Sequence, residues 1–118
     1  MEENNDHRKI LLILEFSGGK PKDKYDLCEI VRRTQEIKKF GIDFRYLQRF
    51  DYFIEGKRGN DEFSLDFRYL VMKDLINEDN NSISLTKNGK KRVEVLLEQN
   101  PQYKQIENNL KEFIQQII

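Results

Sequence analysis

The sequence predicts a mostly α fold with one small β-hairpin, an α+β domain, and three observations carry that expectation. Residues 63–97 read in order as helix, hairpin and helix. Apolar residues recur at helical spacing in separate blocks on both sides of that stretch. The 118 residues suit a single hydrophobic core.

Residues 1–6 are polar and read as a frayed tail ahead of a domain spanning 7–100. Ile10, Leu11, Ile13 and Leu14 give residues 7–16 a wide apolar helical face, and Ser17-Gly18-Gly19 closes that helix. Pro21 and the alternating Lys20, Lys22 and Lys24 form an exposed loop, after which Leu27, Ile30, Val31 and Thr34 mark a second helix running towards Phe40, with Gly41 as its stop. Residues 42–60 are dense in aromatic side chains without one clean period; 52–55 read as a strand and 56–60 as a loop. Asp61 is expected to cap a third helix whose core face carries Phe63, Phe67, Leu70 and Val71 and whose last residues are Leu75 and Ile76. Residues 77–82 turn the chain into a strand with Ile83 and Leu85 alternating, and Thr86 caps a helix over 87–99 by accepting from the amide of Asn88 or Gly89. Beyond Pro101, residues 102–118 read as one further helix. Tyr103, Ile106, Leu110, Phe113 and Ile117 fall on a heptad seam there.

The order Phe63, Phe67, Leu70, then Leu75-Ile76, a hairpin and Leu85-Thr86-x-x-Gly89 resembles the recognition helix and wing of winged helix-turn-helix domains. Two features depart from that pattern: Asp74 stands where such domains often place Gly, and about twenty residues join the second and third helices. The long second helix, aromatic segment and Gly-containing loop are similar to YwgA-like proteins and to the Panacea domain of some antitoxins, with Lys57-Arg58-Gly59 in place of their Tyr-Gly-Pro turn. The resemblance implies a regulatory or interaction module and supplies no site.

Hydrophobic residues make up 37% and charged residues 36%, and the 21 basic and 21 acidic side chains cancel. No global field therefore draws the chain to nucleic acid or to anionic lipid. Charge is uneven along the chain, however: residues 8–58 hold 13 Lys and Arg against 8 Asp and Glu, and residues 59–83 hold 2 against 6. Cys28 is the only cysteine, which excludes an intrachain disulfide, and the acidic start and short apolar runs predict a cytoplasmic protein with no membrane segment.

No catalytic chemistry is expected. One His and one Cys make no metal site, and no cofactor is implied. Cys28 sits beside an apolar helical face as a packing thiol; Ser17-Gly18-Gly19-Lys20 lacks the phosphate-loop pattern; Asp23, Asp26 and Glu29, and likewise Asp61, Glu62 and Asp66, read as solvated helix ends. Function is then a contest between surfaces. A regulator binding double-stranded DNA would read bases with Ser64, Arg68 and Tyr69 and touch phosphate through Lys57, Arg58, Lys87, Lys90, Lys91 and Arg92. A protein-interaction module would instead cover the apolar stripe of Leu65, Tyr69 and Met72 with a partner. Residues 101–118 are expected to join two copies as a homodimer through Tyr103, Ile106, Leu110, Phe113 and Ile117.

Overall fold

The computed structural model describes residues 3–44, 52–54 and 57–117. Helix α1 (Asn5–Phe16) is the hub of the fold: Ile10, Leu11, Leu12 and Ile13 are fully buried, and Leu14 and Phe16 nearly so. A helix apolar on nearly every side must be covered on every side. The elements around it do that: helices α2 (Lys24–Glu36), α3 (Asp61–Met72), α4 (Lys87–Gln99) and α6 (Glu107–Ile117) and strand β4 (Ser82–Leu85) all pack against it. Its start differs from the expected frayed tail. Asn4 caps it by accepting from the His7 amide, while the Asn4 amide donates to His7 Nδ1, each at 3.0 Å. At the far end Ser17 Oγ donates to the Ile13 carbonyl at 2.6 Å, and Gly18 (φ 58°) and Gly19 (φ 80°) take left-handed conformations that cost a glycine nothing.

Helix α2 (Lys24–Glu36) is capped by Asp23, which accepts from the Asp26 amide at 2.9 Å, and it buries Leu27, Cys28, Ile30, Val31 and Thr34. It stops at Glu36, short of the expected end, and a separate 3-10 turn (Lys38–Phe40) carries the chain to Gly41, whose φ of 64° closes that turn. Strands β1 (Tyr52–Ile54) and β2 (Lys57–Gly59) then form an antiparallel hairpin pairing Tyr52 with Gly59, and β2 packs against α2. Residues 57–59 are thus strand where a loop was expected; Tyr46, Leu47 and Phe50 lie outside the described residues.

Helix α3 (Asp61–Met72) is capped by Asn60 and not by Asp61: Asn60 has an extended backbone and its side chain accepts from the Phe63 amide at 2.9 Å. Phe63, Phe67 and Leu70 point inward as expected, whereas Val71, expected on the same face, is half-buried. The helix ends at Met72, before Leu75 and Ile76, because Asp74 itself adopts φ 59°. The Asp74 amide then donates to the Val71 carbonyl at 3.1 Å and the Leu75 amide to the Leu70 carbonyl at 2.9 Å, a complete Schellman stop. Asp can take this conformation, so the missing glycine is no obstacle. Ile76 opens strand β3 (Ile76–Asp79), which pairs antiparallel with β4 (Ser82–Leu85), Ile76 opposite Leu85. Residues 77–79, expected to turn, are strand.

Thr86 caps α4 (Lys87–Gln99) as expected, accepting from the Gly89 amide at 3.0 Å, and its hydroxyl also donates to the Asp74 carbonyl at 2.5 Å. Those two bonds fix α4 to the stop of α3. Val93 and Leu96 bury against the shared core, and α4 packs on α1.

The expected single C-terminal helix is two: α5 (Pro101–Gln105) and α6 (Glu107–Ile117), broken at Ile106. Leu110 and Ile114 are fully buried, α6 packs on α1 and α2, and the Phe40 and Phe113 rings lie 5.6 Å apart. The seam expected between two copies is therefore occupied within one chain. Burying an Ile or Leu side chain stabilises by about 1.5–3 kcal/mol, and an all-round apolar α1 presents the surface that claims it. No described helix is long and apolar enough to cross a membrane.

Candidate interaction surface

Two faces of α3 are polar or open, and they differ in what they touch. Asp66 lies three residues after Phe63 and four before Leu70, which places it on the inward stripe. Its side chain and that of His7 are both fully buried, with His7 Nε2 2.9 Å from Asp66 Oδ1. Because His7 Nδ1 accepts the Asn4 amide, Nε2 is the nitrogen that donates to Asp66. One helical turn on, Tyr69 stacks on the His7 ring with centroids 4.2 Å apart and planes 10° from parallel. This cluster ties the start of α1 to α3. It corrects one expectation, since Asp66 is no solvated helix end, and it leaves Tyr69 half-buried with its ring stacked on His7.

The outward face keeps Leu65, 57% exposed, and Met72, 77% exposed, with exposed Arg68 between them and half-buried Ser64 alongside. Phe67 and Val71 floor an open cleft of about 660 Å³ beside this face. Asp61, Lys24 at the start of α2, and Glu78 on β3 complete its wall. The cleft thus combines apolar side chains with charges of both signs. The reading-set residues Ser64 and Arg68 and the interface residues Leu65 and Met72 share this cleft, so the two sequence hypotheses converge on one surface.

The basic run lies elsewhere. Lys87, Lys90, Lys91 and Arg92 are all exposed on α4, but Lys90 lines clefts formed with Glu15, Gly18 and Ser84 on one side and with Glu94, Glu107 and Lys111 on the other. Arg92 donates to Glu3, which also accepts from Arg8 Nε at 2.8 Å. Burial raises the Glu3 pKa, but the hydrogen bonds and charges of the two arginines outweigh it and hold the carboxyl below its ordinary value. The side chains of Lys57 and Arg58 lie outside the described residues.

Of the residues assigned to a dimer seam, Leu110 is fully buried and Tyr103 8% exposed, while Ile106, Phe113 and Ile117 pack half-buried against the same core. Burial first, and then the charge of Glu29, push the Cys28 thiol up to about 12, so this side chain packs and does not attack. The His7, Asp66 and Tyr69 cluster escaped sequence reasoning because its two ends are 59 residues apart. The readable signal was a polar residue at a core position of α3. Protein-family models, curated proteins and solved structures were all compared with the chain, and none matches it.

Proposed function

We propose that this chain is a non-enzymatic protein-interaction module of winged-helix type, a subunit or regulator whose partner protein docks on the outward face of α3. The order of α1, α2, α3 and the β3–β4 hairpin supports the winged-helix reading. The observation that carries the docking reading is the pair Leu65 and Met72, exposed in a cleft walled by Asp61 and Glu78. Phosphate would meet those two carboxylates at the surface a DNA reader must present, and Lys90 of α4 lines other clefts.

Recognition of double-stranded DNA is the second reading, favoured by Ser64 and Arg68 beside Lys24 on the same cleft. A titration of short duplex DNA decides between them. At about 50 mM salt, where phosphate contacts are strongest, no retardation is expected up to roughly 10 µM protein. Retardation that weakens with salt and disappears in Arg68→Ala would overturn the docking reading in favour of a DNA regulator.

A further inference from the structure

We infer that the outer edge of β4 recognises an extended, proline-free segment of a partner protein, which enters the cleft between β4 and the Gly18-Gly19 stop of α1 and adds to the sheet as a third, antiparallel strand. This site is separate from the outward face of α3, and the two stand or fall independently.

Hydrogen-bond parity identifies the groups involved. In an antiparallel pair, residues that exchange hydrogen bonds alternate with residues whose N–H and C=O point away from the neighbouring strand. The Thr86 amide donates to the Leu75 carbonyl at 3.1 Å, and these two residues continue the register that sets Ile76 opposite Leu85. The bonded pairs are therefore Leu75 with Thr86, Asn77 with Ser84, and Asp79 with Ser82. Ile83 and Leu85 fall between them, so each turns its N–H and C=O away from β3, and no described residue hydrogen-bonds to those groups. The edge is also dry: Ile83 is 1% and Leu85 8% exposed. A main-chain donor or acceptor withdrawn from water without a partner is costly enough that native interiors rarely keep one. An added strand presents donors and acceptors at the matching spacing.

A cleft of about 320 Å³ leads to this edge. Ile83, Ser84 and Leu85 line one wall, Gly18 and Gly19 another, and no residue of β3 lines it, which puts it on the open side of β4. The two glycines offer only backbone, and a Cβ at Gly19 would meet nothing within 4 Å, so a second chain can come close there. A residue opposite Ile83 or Leu85 shares their inward face, where Leu14 lines the cleft, whereas a residue opposite Ser84 shares its exposed face. The segment recognised thus runs apolar, polar, apolar. The recess also selects one extended chain over a second copy. In a copy the same edge lies behind its own cleft walls, so two folded copies would clash before their β4 edges met.

The test is an NMR titration of the full chain with a capped five-residue peptide that alternates threonine and valine, its two valines placed opposite Ile83 and Leu85. Amide shifts should map to Gly18, Gly19, Ile83 and Leu85 and saturate with a dissociation constant of about 1 mM or below. In the complex the Ile83 and Leu85 amides should exchange with solvent at least about tenfold more slowly. N-methylation of the two valines removes the N–H groups that face β4 and should weaken binding by about tenfold or more. N-methylation of the central threonine, whose N–H points away, should weaken it by less than about threefold. Only the peptide is altered, so loss of binding cannot be a loss of the fold. No shift at these residues at several times the expected dissociation constant, or shifts that survive valine N-methylation, overturns the inference. Shifts at Leu65 and Met72 in place of the cleft overturn it as well and leave the α3 reading standing. Ile83 and Leu85 amides already protected without peptide, in a chain whose mass rises above 14.3 kDa with concentration, overturn it in favour of a second copy.

Discussion

Replacing His7 with Ala removes the only histidine and, with it, the ring nitrogen that accepts the Asn4 amide and two contacts inside the core. The Asp66 carboxyl loses the Nε2 donor at 2.9 Å in a site closed to solvent, a loss of about 1–3 kcal/mol for a buried polar partner. The Tyr69 ring loses its stacking partner at 4.2 Å, worth about 0.5–1.5 kcal/mol beyond area burial. Together these give about 1.5–4.5 kcal/mol, a large part of the roughly 5–15 kcal/mol that holds a domain folded. Asp66→Ala should cost a similar amount by leaving the imidazole N–H without its acceptor. If the two residues act as one unit, the double variant should cost less than the two single losses added together, by about 1–3 kcal/mol. Urea unfolding followed by helical circular dichroism measures all four corners of that cycle. Strict additivity of the two losses, or a His7→Ala cost below about 1 kcal/mol, would refute the claim that this pair anchors α1 to α3.

Three further outcomes follow from local geometry. Gly89→Ala should destabilise, although alanine normally favours a helix over glycine by about 1 kcal/mol, because the added Cβ would sit 2.1 Å from the Leu75 carbonyl oxygen; thermal melting reads the sign, and a raised melting temperature would contradict the close crossing. Cys28 should resist thiol reagents in the folded protein near pH 8 and react fully in denaturant, given 4% exposure and a pKa pushed to about 12; rapid labelling of the native chain would contradict its burial. The Arg32 hydrogen bond, against the opposing pull of burial, and the further contacts of Arg32 and Arg33 lower the Glu29 pKa from 4.5. A lowered folded value means the contribution is present above the unfolded pKa and is lost as pH falls through the folded one. Glu29→Gln should therefore lower stability near pH 7 and make progressively less difference below about pH 4, checked by paired melts across that range.

Elements whose signals are local could be read from the sequence. The bounds of α4 follow from Thr86 and the amide of Gly89 three residues on, and Ser17-Gly18-Gly19 marks the stop of α1 through its left-handed glycines, whereas Gly41 closes the 3-10 turn and not α2, which ends at Glu36. The inward set Phe63, Phe67 and Leu70 is a helical period and nothing more. Strand β3 was illegible because Ile76 alone is buried in it, so no alternation is written into residues 76–79. The C-terminal seam was legible as an amphipathic helix but not as to its partner, since Leu110 and Ile114 would show the same spacing against α1 or against another chain. Of the cleft, Ser64, Leu65, Arg68 and Met72 are one helix face and could be found by angle. Lys24 and Glu78 could not, because tertiary packing alone brings α2 and β3 to α3.

The measurement that bears most directly on the docking reading is site-specific photo-crosslinking inside native cells, from position 65 in the cleft and from position 95 on α4. Leu65 and Val95 are both exposed, at 57% and 46%, so the two probes differ in surroundings more than in access. A discrete protein adduct is expected from position 65 that is lost when Met72→Glu is added, with no such adduct from position 95. The same products from both positions, or a position-65 probe that captures nucleic acid and no protein, would contradict it.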